Sequence, residues 1–367
     1  MAHRKTIFVI GGTGAQGFPV IETLAASDSD YAVKILTRDV TSDRAKRLAS
    51  LPNVELVTGT FASEVDLRAG FSGSWGAFVN IDGFNCGEKA EIYWGIRSYE
   101  IALECGVKFF VWGNLDFVLK ESGYNSAFRT GHYDGKGRVG EWILTQNEAA
   151  QTSQMSAALF TTGPYIQMSI AKGTPMAPTI IDGVLTWKVP LGIGAVVHVD
   201  LDDCGHYVKW LFDNNKKASG MNLKVGIAHV DYHSLAKAFT KVTGKPARYQ
   251  DISLEEYWAE PSRATGAQQP AGHNSDPSDP ATMTRQQNFT GFWNMWKASG
   301  GNKGLIRRDY ALLDEIHPGR VKSAEEWFRR ENERGRSQGL GGLWDQLESG
   351  NAPHVLKSIE DGRRGRL

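Results

Sequence analysis

The sequence predicts an α/β fold: a doubly wound parallel sheet in the first half, followed by a smaller mixed α/β lobe. Three observations carry this. Short apolar runs alternate with helix-patterned stretches as far as Thr162, and such alternation gives a parallel sheet covered on both faces. A glycine-rich loop sits directly between the first apolar run and the first helical stretch. After Pro164 the rhythm breaks into a hairpin and irregular strand–helix units. The expected division is 1–163 for the sheet domain and 164–367 for the smaller lobe, with some later segments returning to the first sheet.

The elements follow in order. Strands are expected at Thr6–Ile10, Ala32–Leu36, Val54–Val57, Ala77–Ile81, Lys108–Trp112 and Ala157–Thr162. Helices are expected at Ala15–Ala26, Arg44–Leu51, Glu88–Cys105 and Asp134–Thr145, with Gly106 as a stop for the third. Asp182-Gly183 between two β-rich runs reads as a hairpin turn over Thr179–Trp187. Val196–Val199 and Met221–Ile227 read as further strands, and Asp203–Phe212 and Ser234–Val242 as helices. Residues 259–284 hold four prolines and no Val, Ile, Leu, Phe, Tyr or Trp, so they read as a flexible insertion. Phe289, Phe292, Trp293 and Trp296 recur at helical spacing, which makes 286–297 core of the small lobe or a lid on an apolar pocket. Ser323 to Glu326 reads as a capping box before Trp327 and Phe328.

Composition narrows the function. Of 367 residues, 41% are hydrophobic and 22% charged, enough apolar material for a large core. Lys plus Arg and Asp plus Glu both number 41, and a chain of zero net charge is not built for direct nucleic-acid binding. Cys86, Cys105 and Cys204 are scattered, so neither a disulfide framework nor a metal site is expected. No secretion signal or membrane-spanning run is visible, and a cytoplasmic or nuclear location is expected. Asn288-Phe289-Thr290 then fits a glycosylation acceptor by chance alone. The terminal run with Arg363, Arg364 and Arg366 reads as a solvated end.

The chemistry starts at Gly11-Gly12-Thr13-Gly14-Ala15-Gln16-Gly17, between strand and helix. Gly11 permits the tight turn, Gly14 lets a pyrophosphate approach the helix N-terminus, and Gly17 lets helix and sheet pack closely. Thr13 and Gln16 complete the phosphate surroundings. The second strand ends Thr37-Arg38-Asp39. An arginine there forks onto the 2′-phosphate of NADP, so the expected cofactor is NADP(H); in the other reading Asp39 takes the ribose of NAD. Ligands lie at the carboxyl ends of parallel strands. Gly59, Thr60 and Phe61 are therefore placed by the adenine, and Asn80, Ile81 and Asp82 by the nicotinamide ribose. Asp82 and Asn114 are the polar groups placed to meet a substrate, or else they cap their loops.

Three motifs together resemble the NmrA-like family of atypical short-chain dehydrogenase/reductases: the GGTGAQG loop, Thr37-Arg38, and His132-Tyr133-Asp134-Gly135-Lys136-Gly137. The resemblance spans roughly residues 4 to 250. It implies a Rossmann domain, a small C-terminal lobe and NADP(H) in the cleft between them. It also implies one of two functions. The protein is an NADPH-dependent reductase of a small apolar or aromatic substrate, or a redox sensor acting through a regulatory protein partner, as a monomer or homodimer. An aspartate commonly follows the Gly59 equivalent in the family; Thr60 departs from it.

Short-chain reductases of the standard type use Ser, Tyr and Lys. Lys136 matches the lysine, His132 stands at the tyrosine position four residues earlier, and Gly113 stands at the serine. Lys136 then clamps the cofactor ribose, and His132, Tyr133 or Tyr165 is left to supply a proton. On a helix Tyr133 turns away from His132 and Lys136, which favours core packing for it.

Overall fold

The computed structural model describes residues 4–149, 154–352, 355 and 366–367. The first half alternates without interruption: β1 (Lys5–Ile10), α1 (Gly17–Leu24), β2 (Tyr31–Thr37), α2 (Asp43–Ala49), β3 (Val54–Thr58), α3 (Glu64–Phe71), β4 (Gly76–Val79), α4 (Gly83–Cys86), α5 (Glu88–Glu104), β5 (Phe109–Leu115), α6 (Val118–Glu121), α7 (Gly131–Ala149) and β6 (Ser156–Thr162). β4, β5, β6 and the carboxyl part of β1 are almost wholly buried and read as continuous apolar runs, whereas β3 at the sheet edge is only part-buried. Ser42 and Ser63 open α2 and α3 by accepting hydrogen bonds from Ala45 and Asp66 N–H.

The second half adds β7 (Thr179–Ile181), β8 (Val184–Val189), β9 (Val196–His198), α8 (Leu201–Asp213), α9 (Asn215–Ala218), β10 (Asn222–Lys224), β11 (Ala228–Val230), α10 (Tyr232–Thr243) and β12 (Ala247–Asp251). It ends with α11 (Leu254–Ala259), α12 (Pro261–Ala264), α13 (Arg285–Lys297), α14 (Tyr310–Ile316), α15 (Ala324–Ser337) and α16 (Leu343–Glu348). Asp182, at φ 51°, and Gly183 turn the expected β7–β8 hairpin.

The main sheet runs β10-β6-β5-β4-β1-β2-β3, with every pair parallel. Chain order reverses between β1 and β4, and that switch point opens a crevice at the carboxyl ends. β10 comes from the second half, shorter than the predicted Met221–Ile227 run. α8 also returns: Cys204, Val208 and Leu211 pack with Val20, Ile21 and Leu24 of α1 over one face of the sheet. Leu67, Phe71, Ile101, Val139 and Ile143 cover the other face. The small lobe has its own core around Trp187, Phe239, Trp293, Trp296 and Trp327.

Two expectations change. Residues 259–284 lack long elements, yet they are tied down rather than loose: His273 and Asn274 N–H donate to the Phe84 and Asn85 carbonyls, and Lys89 pairs with Asp279 at 2.9 Å. Main-chain hydrogen bonds do here what an apolar core does not. At Ser323 the first half of the box forms, but the Glu326 carboxylate accepts from Lys322 N–H instead of the Ser323 N–H.

Candidate functional site

The glycine loop folds into a cradle that only glycine fits. Gly11 has φ +82°, and a Cβ there would lie 2.2 Å from the Asn80 carbonyl oxygen. A Cβ at Gly17 would lie 2.2 Å from the Gly11 carbonyl oxygen, and Gly14 N–H donates to that same oxygen at 3.0 Å. Thr13 is buried in the loop. Gln16 spans the crevice mouth, donating to Thr162 Oγ1 at 3.3 Å and accepting from Asn80 Nδ2 at 2.7 Å. Its amide thus braces β4 against β6.

At the end of β2, Arg38 donates to the Arg366 carbonyl, which also accepts from Asn85 Nδ2 at 2.8 Å. Only Arg366 and Leu367 of the basic terminal run fall within the described residues. Asp39 turns its carboxylate to Thr41, accepting from N–H at 2.8 Å and Oγ1 at 2.6 Å. Arg44 of α2 reaches the Thr13 carbonyl at 3.4 Å, bringing a second guanidinium to the cradle. At the end of β3, the Asp66 carboxylate accepts from Thr60 N–H at 2.9 Å, and it lies 2.8 Å from where a Cβ on Gly59 would be. Phe61 is half-buried beside them.

Lys136 forms the floor. α7 starts at Gly131, three residues before the sequence suggested, because the Asp134 carboxylate reaches back to Thr130 N–H at 2.8 Å. This sets His132 and Lys136 one turn apart on a single helix. Lys136 Nζ donates to the Ile81 carbonyl at 2.7 Å, Asn80 Oδ1 at 3.0 Å and the Gly113 carbonyl at 3.3 Å. Glu91 Oε1 of α5 lies 2.9 Å from the same ammonium. Glu91 is fully buried, and burial pushes its carboxyl up to about 7 against the pull of Lys136.

Asp82 is exposed and caps α4, accepting from Phe84 N–H at 3.0 Å and Asn85 N–H at 3.3 Å. Asn114 is buried within β5 and donates to Thr161 Oγ1 of β6 at 2.9 Å. Asp82 takes the loop-capping alternative, and Asn114 instead ties two central strands together.

His132 sits among aromatic rings, with centroids 4.6 Å from Phe84, 5.6 Å from Phe289 and 6.0 Å from Phe292. Asn288 Oδ1 accepts from the His132 backbone N–H at 3.3 Å and lies 2.9 Å from Nδ1. An oxygen accepting from both assigns the ring proton to Nδ1 and leaves Nε2 a lone pair. Burial lowers the imidazole to about 4, so it is neutral near pH 7. Asn288 is itself buried, unlike a glycosylation acceptor. Tyr133 is buried as core. Tyr165, just after β6, is half-buried, and burial with Cys204 and Asp82 nearby raises its hydroxyl, which holds its proton at neutral pH. Along α13, Phe292, Trp293 and Trp296 are core, whereas Phe289 stays half-exposed and stacks toward Phe84 at 6.1 Å.

Sequence reading missed Arg44, Phe84, Glu91 and Asn288 as site residues. Each is an ordinary residue of its own element. Only the tertiary fold brings it to the crevice, and no spacing rule signals it. Among the described residues no metal-holding cluster occurs, and no helix is long and apolar enough to cross a membrane.

Known proteins share this fold. The model of the NmrA-like family matches residues 3–267. An NmrA-like family domain-containing oxidoreductase of Aspergillus flavus, lnaB, is 28% identical over 262 residues, covering 68% of this chain and 76% of that protein. Among solved structures, NmrA, a negative transcriptional regulator in complex with NADP, superposes with TM-score 0.67 at 16% identity, covering 92% of this chain and 98% of that one. The Citrobacter sp. triphenylmethane reductase complexed with NADP(H) gives 0.63 at 17% identity, covering 88% and 98%. At such identities the structural likeness speaks for the fold, and the family model speaks for ancestry. With the model matching well over half its length, the chain belongs to the NmrA-like family.

Proposed function

We propose that the protein is an NADPH-dependent reductase that transfers hydride to a small apolar or aromatic C=O, C=C or C=N substrate. The observation that carries this is Lys136, a cleft-floor ammonium held between the carboxyl ends of β4 and β5 beneath the half-exposed aromatic wall of Phe84, His132 and Phe289. The crevice fits a dinucleotide. Its cradle has no room for a Cβ at Gly11 or Gly17, Arg44 reaches its Thr13 carbonyl, Arg38 follows the carboxyl end of the adjacent strand β2, and Lys136 lies at the far end. NADPH, when bound, supplies the hydride. The glycine loop and the N-terminus of α1 hold the pyrophosphate, Arg38 holds the 2′-phosphate, and Asn80 and Lys136 orient the nicotinamide ribose. Gly59, Thr60 and Phe61 border the adenine, and Ile81 and Asp82 border the ribose path. The aromatic wall excludes water and lays a planar substrate flat.

Reduction also needs a proton on the substrate heteroatom or carbon. His132 is a poor source, being neutral with its one proton directed to Asn288. Tyr165 keeps its proton, which burial and the nearby Cys204 and Asp82 hold more tightly than in a free tyrosine, so it donates only to an oxygen that becomes strongly basic as hydride arrives. Single-turnover NADPH oxidation against a panel of aromatic carbonyls, enones and imines tests this. Turnover lost in Lys136→Ala and Tyr165→Phe but kept in His132→Phe is expected. Turnover that survives Tyr165→Phe and dies in His132→Phe would reverse the donor assignment.

The second reading is a redox sensor that acts through a protein partner. It is favoured by Gly113 at the serine position and by the neutral His132, which together remove the usual donors. NmrA's description as a negative transcriptional regulator shows that the fold serves this role elsewhere. If no compound is reduced, yet NADPH and NADP⁺ shift oligomeric state or partner binding differently, this reading replaces the first.

A further inference from the structure

Among the described residues Glu91 is the one acid brought up against Lys136, and cofactor clamping by the lysine does not account for it. Its carboxylate is wholly buried, and neither oxygen makes a well-aligned hydrogen bond. The ammonium also donates to the Asn80, Ile81 and Gly113 oxygens, so Oε1 at 2.9 Å shares it with three other acceptors. Space for the other oxygen comes from two glycines. A Cβ on Gly83 would lie 2.5 Å from Oε2, and one on Gly135 would lie 3.1 Å from it. Burying an acid without hydrogen bonds is costly. Here it places a charge directly behind the lysine that faces the cofactor.

We propose that Glu91 determines which oxidation state of the nicotinamide the crevice prefers, by placing one switchable charge behind Lys136. The inference rests on the reading that the nicotinamide end of a dinucleotide lies at Lys136. With Glu91 ionised, the pair is neutral overall; with Glu91 protonated, the floor carries one positive charge. The nicotinamide ring of NADP⁺ is a cation and that of NADPH is neutral. Ionised Glu91 therefore favours NADP⁺, and protonated Glu91 favours NADPH. Burial sets the titration at about 7, inside the range a cell experiences.

The other groups facing Glu91 do not cancel this. Asp82 and Cys86 come from α4 and its cap, and burial keeps the Cys86 thiol protonated. Glu88, on the same helix, is already paired with Arg129 at 2.6 Å and lies 3.7 Å from Arg138. β5 offers only the Gly113 carbonyl, and α7 offers Lys136 itself and Asp134, which is bound to Arg129 at 2.8 Å. His132 titrates too low to contribute near neutrality.

Affinities of the full-length protein for NADP⁺ and NADPH, taken by calorimetry at about pH 6 and about pH 8, test the proposal. The ratio of the two affinities is the readout, because the 2′-phosphate is common to both ligands. Wild type should move toward NADP⁺ by about tenfold as pH rises, the size expected when a nearby unit charge switches in a partly shielded site. Glu91→Gln should hold the ratio at its low-pH value throughout. A wild-type ratio that stays flat overturns the proposal, as does a ratio that still moves in Glu91→Gln. The wild type alone gives a second check if that variant folds poorly. NADP⁺ binding near pH 7 should release protons, seen as a buffer-dependent enthalpy, and NADPH binding should not; equal release overturns the proposal. Failure of both nucleotides to bind would instead remove the dinucleotide reading underneath it.

Discussion

Gly113 stands where a standard short-chain reductase has its serine, and its surroundings leave no room for one. A Cβ there would lie 2.8 Å from Asn80 Cβ and 3.0 Å from Asn80 Oδ1, the atom that accepts from Lys136. Gly113→Ser should therefore push Asn80 away rather than restore a triad. The expected result is a loss of about 1–3 kcal/mol in urea unfolding and no gain in turnover. Unchanged stability with faster turnover would contradict the geometry. His132 gives a pH prediction. Its folded value of about 4 lies below the ordinary 6.5, so the unfolded chain takes the proton first. Its contribution is fully present above about pH 6.5 and is lost as pH falls toward 4. His132→Phe should consequently gain stability relative to wild type as acid is added, and a constant difference across that window would refute the assignment. Lys136, His132, Arg38 and the glycines were legible in sequence because each sits in a motif tied to local geometry. Glu91 and Asn288 were not, because α5 and α13 meet α7 only in the folded chain.

Among the elements, the glycine loop is the most sensitive to a single carbon. At Gly17 the obstacle to a Cβ is the Gly11 carbonyl, a backbone atom that cannot rotate aside. Gly17→Ala should weaken NADPH binding by roughly tenfold to a hundredfold, on about 1–3 kcal/mol of overpacking, while the circular dichroism of the sheet persists. Full affinity in that variant would show that the loop does not approach the cofactor. Parallel strands and their helices were readable because both faces of the sheet are covered and the central strands are apolar runs. The start of α7 was misplaced because Asp134 reaches backward to cap it. The stretch 259–284 was read as flexible because side-chain composition says nothing of main-chain hydrogen bonds to Phe84 and Asn85.

At the scale of the whole molecule, the long C-terminal region is fastened to the sheet by a buried ion pair. Arg308 donates to Asp116 Oδ1 at 3.0 Å and Oδ2 at 2.7 Å, and to the Val225 and Thr162 carbonyls, with both side chains wholly buried. Asp116 is lowered against strong desolvation by Arg308 and Lys224. Arg308→Met should cost about 3–5 kcal/mol, because it leaves a buried carboxylate unpaired. The double variant with Asp116→Asn should recover much of that loss in the same urea melts, and equal losses in single and double variants would mean the pair is not coupled. None of this was visible in sequence. The two partners are far apart along the chain, and an arginine in a polar stretch gives no sign of burial. Strand–helix alternation predicted a parallel sheet covered on both faces but not its order β3-β2-β1-β4-β5-β6, and the return of later segments to the sheet was foreseen only in general terms.

The proposed reductase requires NADP(H) in the crevice with Arg38 on the 2′-phosphate. Titration of wild type and Arg38→Ala with NADPH and NADH tests this most directly. Wild type should bind NADPH well ahead of NADH. Arg38→Ala should lose about 1.5–3 kcal/mol for NADPH, the worth of a charged hydrogen bond, and almost nothing for NADH. Equal binding of the two nucleotides by wild type, or an Arg38→Ala variant that loses nothing for NADPH, would contradict it.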